Sequence, residues 1–109
     1  ELKQFVDRAN IYIVPVDAVP YWDKTSKVQS ITDFNEIKIS GGGGTVLQEF
    51  FRDFRQKLRR YGHFSSVIAI TDGYIDEIPV EYNPGCSVGW IVIGNNGFRP
   101  PFGKAVTLL

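Results

Sequence analysis

Two segments of the chain repeat apolar residues with the period of an α-helix. The first covers residues 1–9, where Leu2, Phe5, Val6 and Ala9 predict an amphipathic helix or the end of one. The second covers residues 45–62, and its apolar residues fall on one helical face. These are Val46, Leu47, Phe50, Phe51, Phe54 and Leu58. Cations are concentrated in the C-terminal half of the second segment, where the helix dipole favours them, and Gly62 is suited to ending it.

Other segments have the pattern of β-strands. Residues 11–17, 65–71, 87–93 and 104–109 are rich in β-branched and aromatic residues and are bounded by turn residues. The run 65–71 is apolar without interruption, as expected of a strand covered on both faces. Residues 27–31 and 36–39 are either two arms of a hairpin or irregular edge segments. Helices that alternate with buried strands predict an α/β sandwich with a mostly parallel sheet.

Composition narrows the class of protein. The chain has 109 residues, enough for one domain, and its 12 basic residues balance its 12 acidic ones, so no overall field favours nucleic acid. One cysteine and one histidine exclude an internal disulfide and the usual zinc sites. The sequence has no membrane-spanning run and no signal peptide, which predicts a cytoplasmic protein. Because the chain contains no methionine, we expect it to be a piece of a longer protein.

Candidate chemistry lies where strands end, since open α/β sheets form their sites at the carboxyl ends of strands. Three features arrive there: Asp17, the glycine tract 41–44 with Thr45, and Asp72. The tract lacks the lysine of a mononucleotide loop and the third glycine of a dinucleotide loop. Thr45 and Gln48 form a capping box, which predicts a helix start at Thr45. The nearby acidic pair, Asp76 and Glu77, suits either acid–base work or simple solvation.

The order of these motifs resembles the von Willebrand factor A-like (VWA-like) domain. "GGGGT" precedes an amphipathic helix, a strand ends in "TDG", and "W-x-V" and "PFG" follow, while "VPVDAVPYW" matches an earlier strand end. Within that group, the chain most resembles the bacterial VWA-like module at the C-terminus of predicted metallopeptidases of unknown function. It implies a three-layer, Rossmann-like sandwich with a metal-ion-dependent adhesion site at the top of the sheet.

That resemblance also assigns roles to residues. Thr45 and Asp72 match the family's metal-binding threonine and aspartate, and Gly43 and Gly44 would let the backbone pass close to the ion. Asp17 matches the strand-ending aspartate and is expected to support a ligand without touching the ion. Mg²⁺ or Mn²⁺ would suit such oxygen ligands.

Two departures from the family pattern limit this expectation. The Asp-x-Ser-x-Ser loop is missing, and Val46 stands where the narrower family has an acidic residue. If residues 1–9 end the family's first helix, the first central strand and its ligand loop lie upstream of Glu1. Two of five ligand positions then remain, so we expect the intact parent, but not this chain alone, to bind the ion stably.

Loss of the central strand has a structural consequence. The strands at 11–17 and 66–71 would both lack a neighbour, and unpaired edges are costly to bury. We expect the two strands to close up, a second copy to fill the gap as a homodimer through the sheet edges, or an upstream segment to fill it.

The leading functional hypothesis is a protein-interaction module that recruits a protein partner through a divalent ion, without nucleic acid or membrane. A rival hypothesis is the C-terminal part of a hydrolase whose catalytic site lies upstream, because this chain has no His-Glu-x-x-His motif and no nucleophile beside a base. A third is a degenerate module without metal.

Overall fold

The computed structural model describes residues 10–16, 18–28 and 46–108 of the chain. In chain order the strands and the helix are β1 (Tyr12–Ile13), β2 (Ser26–Lys27), α1 (Gln48–Lys57), β3 (Ser66–Thr71), β4 (Ser87–Ile93) and β5 (Lys104–Leu108). Three short 3-10 helices lie at Trp22–Lys24, Arg59–Tyr61 and Val80–Tyr82. Within the described ranges, no helix is long and apolar enough to cross a membrane.

The last three strands form one parallel sheet in the order β3-β4-β5. Val67 lies opposite Val88, and Trp90 lies opposite both Ala69 and Ala105. Parallel neighbours need a crossover connection, which these strands receive from the segments 72–86 and 94–103. The predicted α/β class with a parallel sheet is confirmed.

One face of this sheet carries the core, because alternate residues of a strand point to the same side. Val88, Trp90 and Val92 of β4 are buried, and Trp90 is only 1% exposed. The apolar face of α1 packs over them through Leu47 and Phe51. A buried hydrogen bond of 2.8 Å, donated by the Trp90 Nε1–H to the Phe102 carbonyl oxygen, ties the loop before β5 to the centre of the sheet.

Both crossovers lie on the same face as α1. Ile78, from the first crossover, and Phe102, from the second, belong to the same buried cluster as Trp90. Right-handed connections between parallel strands that advance in one direction must all fall on one face of the sheet. This topology explains why the described part of the chain covers only one side.

The opposite face is apolar and exposed. Ile68 is 62% exposed and Val106 is 61% exposed, and Ile70 and Leu108 are exposed as well. The expectation that the run 65–71 is covered on both faces is therefore wrong, because the topology brings no described segment across its second side. Exposed apolar patches of this kind usually mark a contact surface.

The first predicted strand is shorter than expected. Of residues 11–17, only Tyr12 and Ile13 form a strand, which pairs antiparallel with β2 in a separate two-stranded sheet. Val16 makes an isolated bridge with Pro20, and Pro15 interrupts the pattern because it has no N–H to donate. In the described part of the chain, β1 does not close up against β3, whose outer edge has no paired strand there. Most of the predicted hairpin at 27–31 and 36–39 lies outside the described residues.

Candidate functional site at the carboxyl edge of the sheet

The turn after β3 holds Asp72 at the carboxyl edge of the sheet. The buried hydroxyl of Thr71 accepts a hydrogen bond from the Gly73 N–H at 3.1 Å, and Asp72 Oδ1 accepts one from the Tyr74 N–H at 3.0 Å. Short polar side chains commonly form such local turns. Asp72 is half-buried, and no described residue donates a hydrogen bond to its Oδ2.

A second loop presses against this turn. Gly73 has φ of 84°, and a Cβ placed on it would lie 2.7 Å from the side-chain nitrogen of Asn95, in the loop after β4. Glycine is required at this position both for the left-handed backbone and for the close approach. The two loops together fix the position of Asp72 relative to the end of β4.

Asp76 connects the same edge to the start of α1. Its Oδ1 accepts a hydrogen bond from the Leu47 N–H at 2.6 Å, and its Oδ2 accepts one from the Gln48 N–H at 3.0 Å. The first N–H groups of a helix have no partner within the helix, and a carboxylate there also complements the helix dipole. Gln48 adds a third contact by donating its side-chain N–H to the Glu77 carbonyl oxygen at 3.2 Å. The beginning of α1 is therefore fixed against the loop that follows Asp72.

This arrangement changes the prediction for the helix start. The helix begins at Gln48 rather than at Thr45, and Leu47, its N-cap residue, makes no side-chain cap. Asp76, a residue distant in sequence, supplies the acceptors that the capping-box prediction assigned to Thr45. Thr45 itself lies outside the described residues.

An open groove of about 660 Å³ runs beside these loops. One wall comes from the segment 73–80, and the other comes from the segment 95–101. Its lining combines apolar side chains with charge: Ile75, Ile78, Val80 and Phe98 are apolar, and Asp76, Glu77 and Arg99 are charged. Mixed linings of this kind suit a peptide better than a small polar ligand.

Of the metal-site residues predicted from the sequence, the structure describes Asp72 alone. Asp17, Gly43, Gly44 and Thr45 lie outside the described residues. Leu47, two residues after Thr45, nevertheless reaches the carboxyl edge through its hydrogen bond to Asp76. The start of α1 is thereby bonded to the loop that follows β3, four residues after Asp72.

The described residues do not form a complete metal site. Within them, no group of three or more His, Cys, Asp or Glu side chains is arranged to hold an ion. Both carboxylate oxygens of Asp76 accept hydrogen bonds from the helix start, which leaves Asp72 as the carboxylate best placed at this edge. One carboxylate falls short of the six oxygen ligands that Mg²⁺ requires, unless waters and other residues supply the rest.

A strongly perturbed ionic pair lies away from this edge, on the surface of α1. Arg52 donates two hydrogen bonds to the Asp53 carboxylate, at 2.9 and 2.8 Å. These hydrogen bonds lower the pKa of Asp53 below its ordinary value and raise the pKa of Arg52. A pair of neighbouring, solvated residues is a surface feature, and it contributes little to stability.

Comparison with known proteins identifies the family. The family model described as "VWA-like domain (DUF2201)" matches residues 2–109, which is nearly the whole chain. No curated protein and no solved structure matches the chain. The order of motifs and the parallel sheet agree with this result. The chain belongs to the VWA-like domain family.

Proposed function

We propose that this chain is a protein-interaction module that meets its partner at the carboxyl edge of the sheet. The observation that carries the proposal is the position of Asp72, whose Oδ1 is held by the Tyr74 N–H while no described residue donates to its Oδ2. A half-buried carboxylate at the end of a parallel strand is placed to contact a ligand from outside the chain.

The groove beside Asp72 supports a peptide as that ligand. Apolar side chains on both walls, such as Val80 and Phe98, can bury the side chains of a partner, while Glu77 and Arg99 can pair with its charges. The walls are fixed by short turns and by the contact between Gly73 and Asn95. Because the groove is preformed, its loops lose less conformational entropy when a peptide binds.

A partial divalent-ion site is the finer part of the proposal. Asp72 would contribute a carboxylate oxygen and Thr45 a hydroxyl, with Gly43 and Gly44 passing close to the ion. An ion held there would offer open coordination positions to an oxygen ligand of the partner. With so few protein ligands, the site is expected to bind Mn²⁺ or Mg²⁺ only weakly.

A metal-free module is the alternative to this ion site. The described residues contain no group of three side chains fit to hold an ion. In that case the same groove and turns serve a partner by direct contacts alone.

Calorimetric titration of the 109-residue chain with MnCl₂ tests the ion site. We expect weak binding that is lost in Asp72→Asn and in Thr45→Val. Glu77→Gln is the matched control, because it removes one negative charge from an exposed residue of the same loop. Unchanged affinity in Asp72→Asn would refute the assignment, and absence of binding by the unsubstituted 109-residue chain would favour the metal-free alternative.

Selection of random peptides displayed on phage tests the interaction surface. Peptides that bind the chain are expected to lose binding to Val80→Glu, which places a charge in the groove. They should retain binding to Val106→Glu, which changes an equally exposed valine on the uncovered sheet face. Peptides that lose binding only to Val106→Glu would place the contact surface on the sheet face instead.

A further inference from the structure

Charge is divided between the two ends of the sheet. Asp72, Asp76 and Glu77 lie in the loop at the carboxyl edge. The start of α1 is hydrogen-bonded to Asp76 at the carboxyl edge, and the connection from α1 to β3 is short. The helix therefore runs antiparallel to the strands, and its C-terminal end lies at the amino edge. The hydrogen bond from Arg55 Nη2 to the Pro84 carbonyl oxygen, three residues before β4 begins, agrees with that direction.

Four exposed cations lie within six residues at the amino edge. This amino-edge cluster consists of Arg55, Lys57, Arg59 and Arg60. Across the described ranges, the one salt bridge joins Arg52 to Asp53, so none of the four is paired with a described carboxylate. A neutral chain therefore presents a local positive surface at one end and an acidic loop at the other.

Two cations of the cluster are already partly ordered. The Arg60 guanidinium lies 4.9 Å from the centre of the Tyr61 ring, and the Arg55 guanidinium lies 5.3 Å from that of Phe54. The Tyr61 ring in turn packs against the Tyr12 ring in a tilted arrangement, with 4.3 Å between the ring centres. Side chains held by aromatic rings lose less conformational entropy when they bind an anion, and planar guanidinium groups suit carboxylates.

The size of the cluster restricts its partner. Residues 55–60 cover the end of α1 and part of the 3-10 helix after it, and together they extend roughly 8 Å. Two or three residues of an extended peptide span a similar length, at about 3.3 Å for each residue. A nucleic acid would need a longer basic track, and the chain as a whole carries no excess positive charge.

We propose that the amino-edge cluster binds a short acidic segment of a protein partner. Carboxylates of such a segment would pair with Arg59 and Arg60 and relieve the repulsion among four neighbouring cations. This surface lies at the opposite end of the sheet from Asp72, so it does not depend on a divalent ion or on the groove.

Fluorescence anisotropy with a labelled octaglutamate peptide tests this inference. The chain is expected to bind the peptide at low salt, to release it as NaCl is added, and to be indifferent to EDTA. The double variant Arg59→Glu, Arg60→Glu should bind about tenfold more weakly, since two exposed ion pairs are lost and repulsion is added. Circular dichroism checks that this variant is folded, and Arg59→Gln with Arg60→Gln should show a smaller loss in the same direction.

The control for net charge is Lys24→Glu with Lys104→Glu, which makes the same total change at two exposed cations outside both the cluster and the groove. An equal loss of affinity in that control would overturn the proposal, because the effect would then come from overall charge. Tighter binding of a single-stranded RNA octamer than of octaglutamate would also overturn it. Loss of peptide binding without any change in Mn²⁺ titration would separate this surface from the site at Asp72.

Discussion

Replacement of Asp76 by alanine is expected to destabilise the fold by about 2 kcal/mol, although the residue lies in a surface loop. The carboxylate accepts hydrogen bonds from the backbone N–H groups of Leu47 and Gln48, at 2.6 and 3.0 Å. Alanine would leave both N–H groups without these acceptors at the start of α1. Because Leu47 is buried, its N–H is poorly placed to recover a partner from water.

The magnitude follows from the kind of bond that is lost. Hydrogen bonds to charged groups contribute about 1.5–3 kcal/mol each, but removal of a whole helix cap usually costs about 0.5–2 kcal/mol because water and neighbouring groups compensate. Because two hydrogen bonds to a partly buried helix start are lost, the destabilisation by Asp76→Ala should lie at the upper end of the range for loss of a helix cap. Asp76→Asn retains one acceptor oxygen and should cost about 1 kcal/mol.

Urea denaturation measures these free energies of unfolding, with tryptophan fluorescence, to which Trp22 and the buried Trp90 contribute, and far-ultraviolet circular dichroism as two probes. Glu77→Ala is the matched control. It removes a neighbouring exposed carboxylate but leaves the carbonyl oxygen that accepts the bond from Gln48, so its effect should stay within about 0.5 kcal/mol. If Asp76→Ala is no more destabilising than Glu77→Ala, the carboxylate does not hold the helix start and the geometry of this edge is wrong.

Two further predictions concern the backbone and the surface pair. Gly103→Ala should lower the free energy of unfolding by more than about 2 kcal/mol in the same urea assay, since φ is 74° and a Cβ would overlap the Val88 carbonyl oxygen. Gly85→Ala is the control, because φ is 77° but the space around the residue is open, and it should lower the free energy of unfolding by only about 1 kcal/mol. Equal losses in the two variants would disprove the predicted overlap. The pKa of Asp53, followed by NMR of its carboxyl carbon, should lie below 3.8 because Arg52 hydrogen-bonds to it, and Arg52→Gln should raise it. A carboxyl group whose pKa is lowered by folding stabilises the native state above its unfolded pKa, so this contribution is lost as the pH falls below about 4; an unchanged pKa in Arg52→Gln would contradict the assignment.

Periodicity located the main elements of the described part of the chain. The predicted strand 87–93 is observed at Ser87–Ile93, and the predicted helix is observed at Gln48–Lys57 with a 3-10 turn after it. These elements were predictable because their patterns are each typical of one secondary structure. Apolar residues on one helical face indicate a helix, and a short apolar run between turns indicates a strand.

The remaining features depend on contacts that no local pattern encodes. Asp76 lies 29 residues from Leu47 in sequence, so its role at the helix start follows only from the way the loop folds back. The run 65–71 has the composition of a strand covered on both faces, yet Ile68 is exposed because both crossovers lie on the other side. The family, in contrast, was predictable from the order of short motifs, and the match over residues 2–109 confirms it.

The most direct test of the proposed site is the location of a bound Mn²⁺ ion by NMR of the ¹⁵N-labelled chain. A paramagnetic ion broadens the amide signals nearest to it first. If Asp72 belongs to the site, the amides of Gly73 and Tyr74 should broaden at the lowest Mn²⁺ concentrations, and Asp72→Asn should abolish this effect. Broadening centred on Glu49 and Asp53 of α1, or broadening at Gly73 that persists in Asp72→Asn, would contradict an ion site at the carboxyl edge of the sheet.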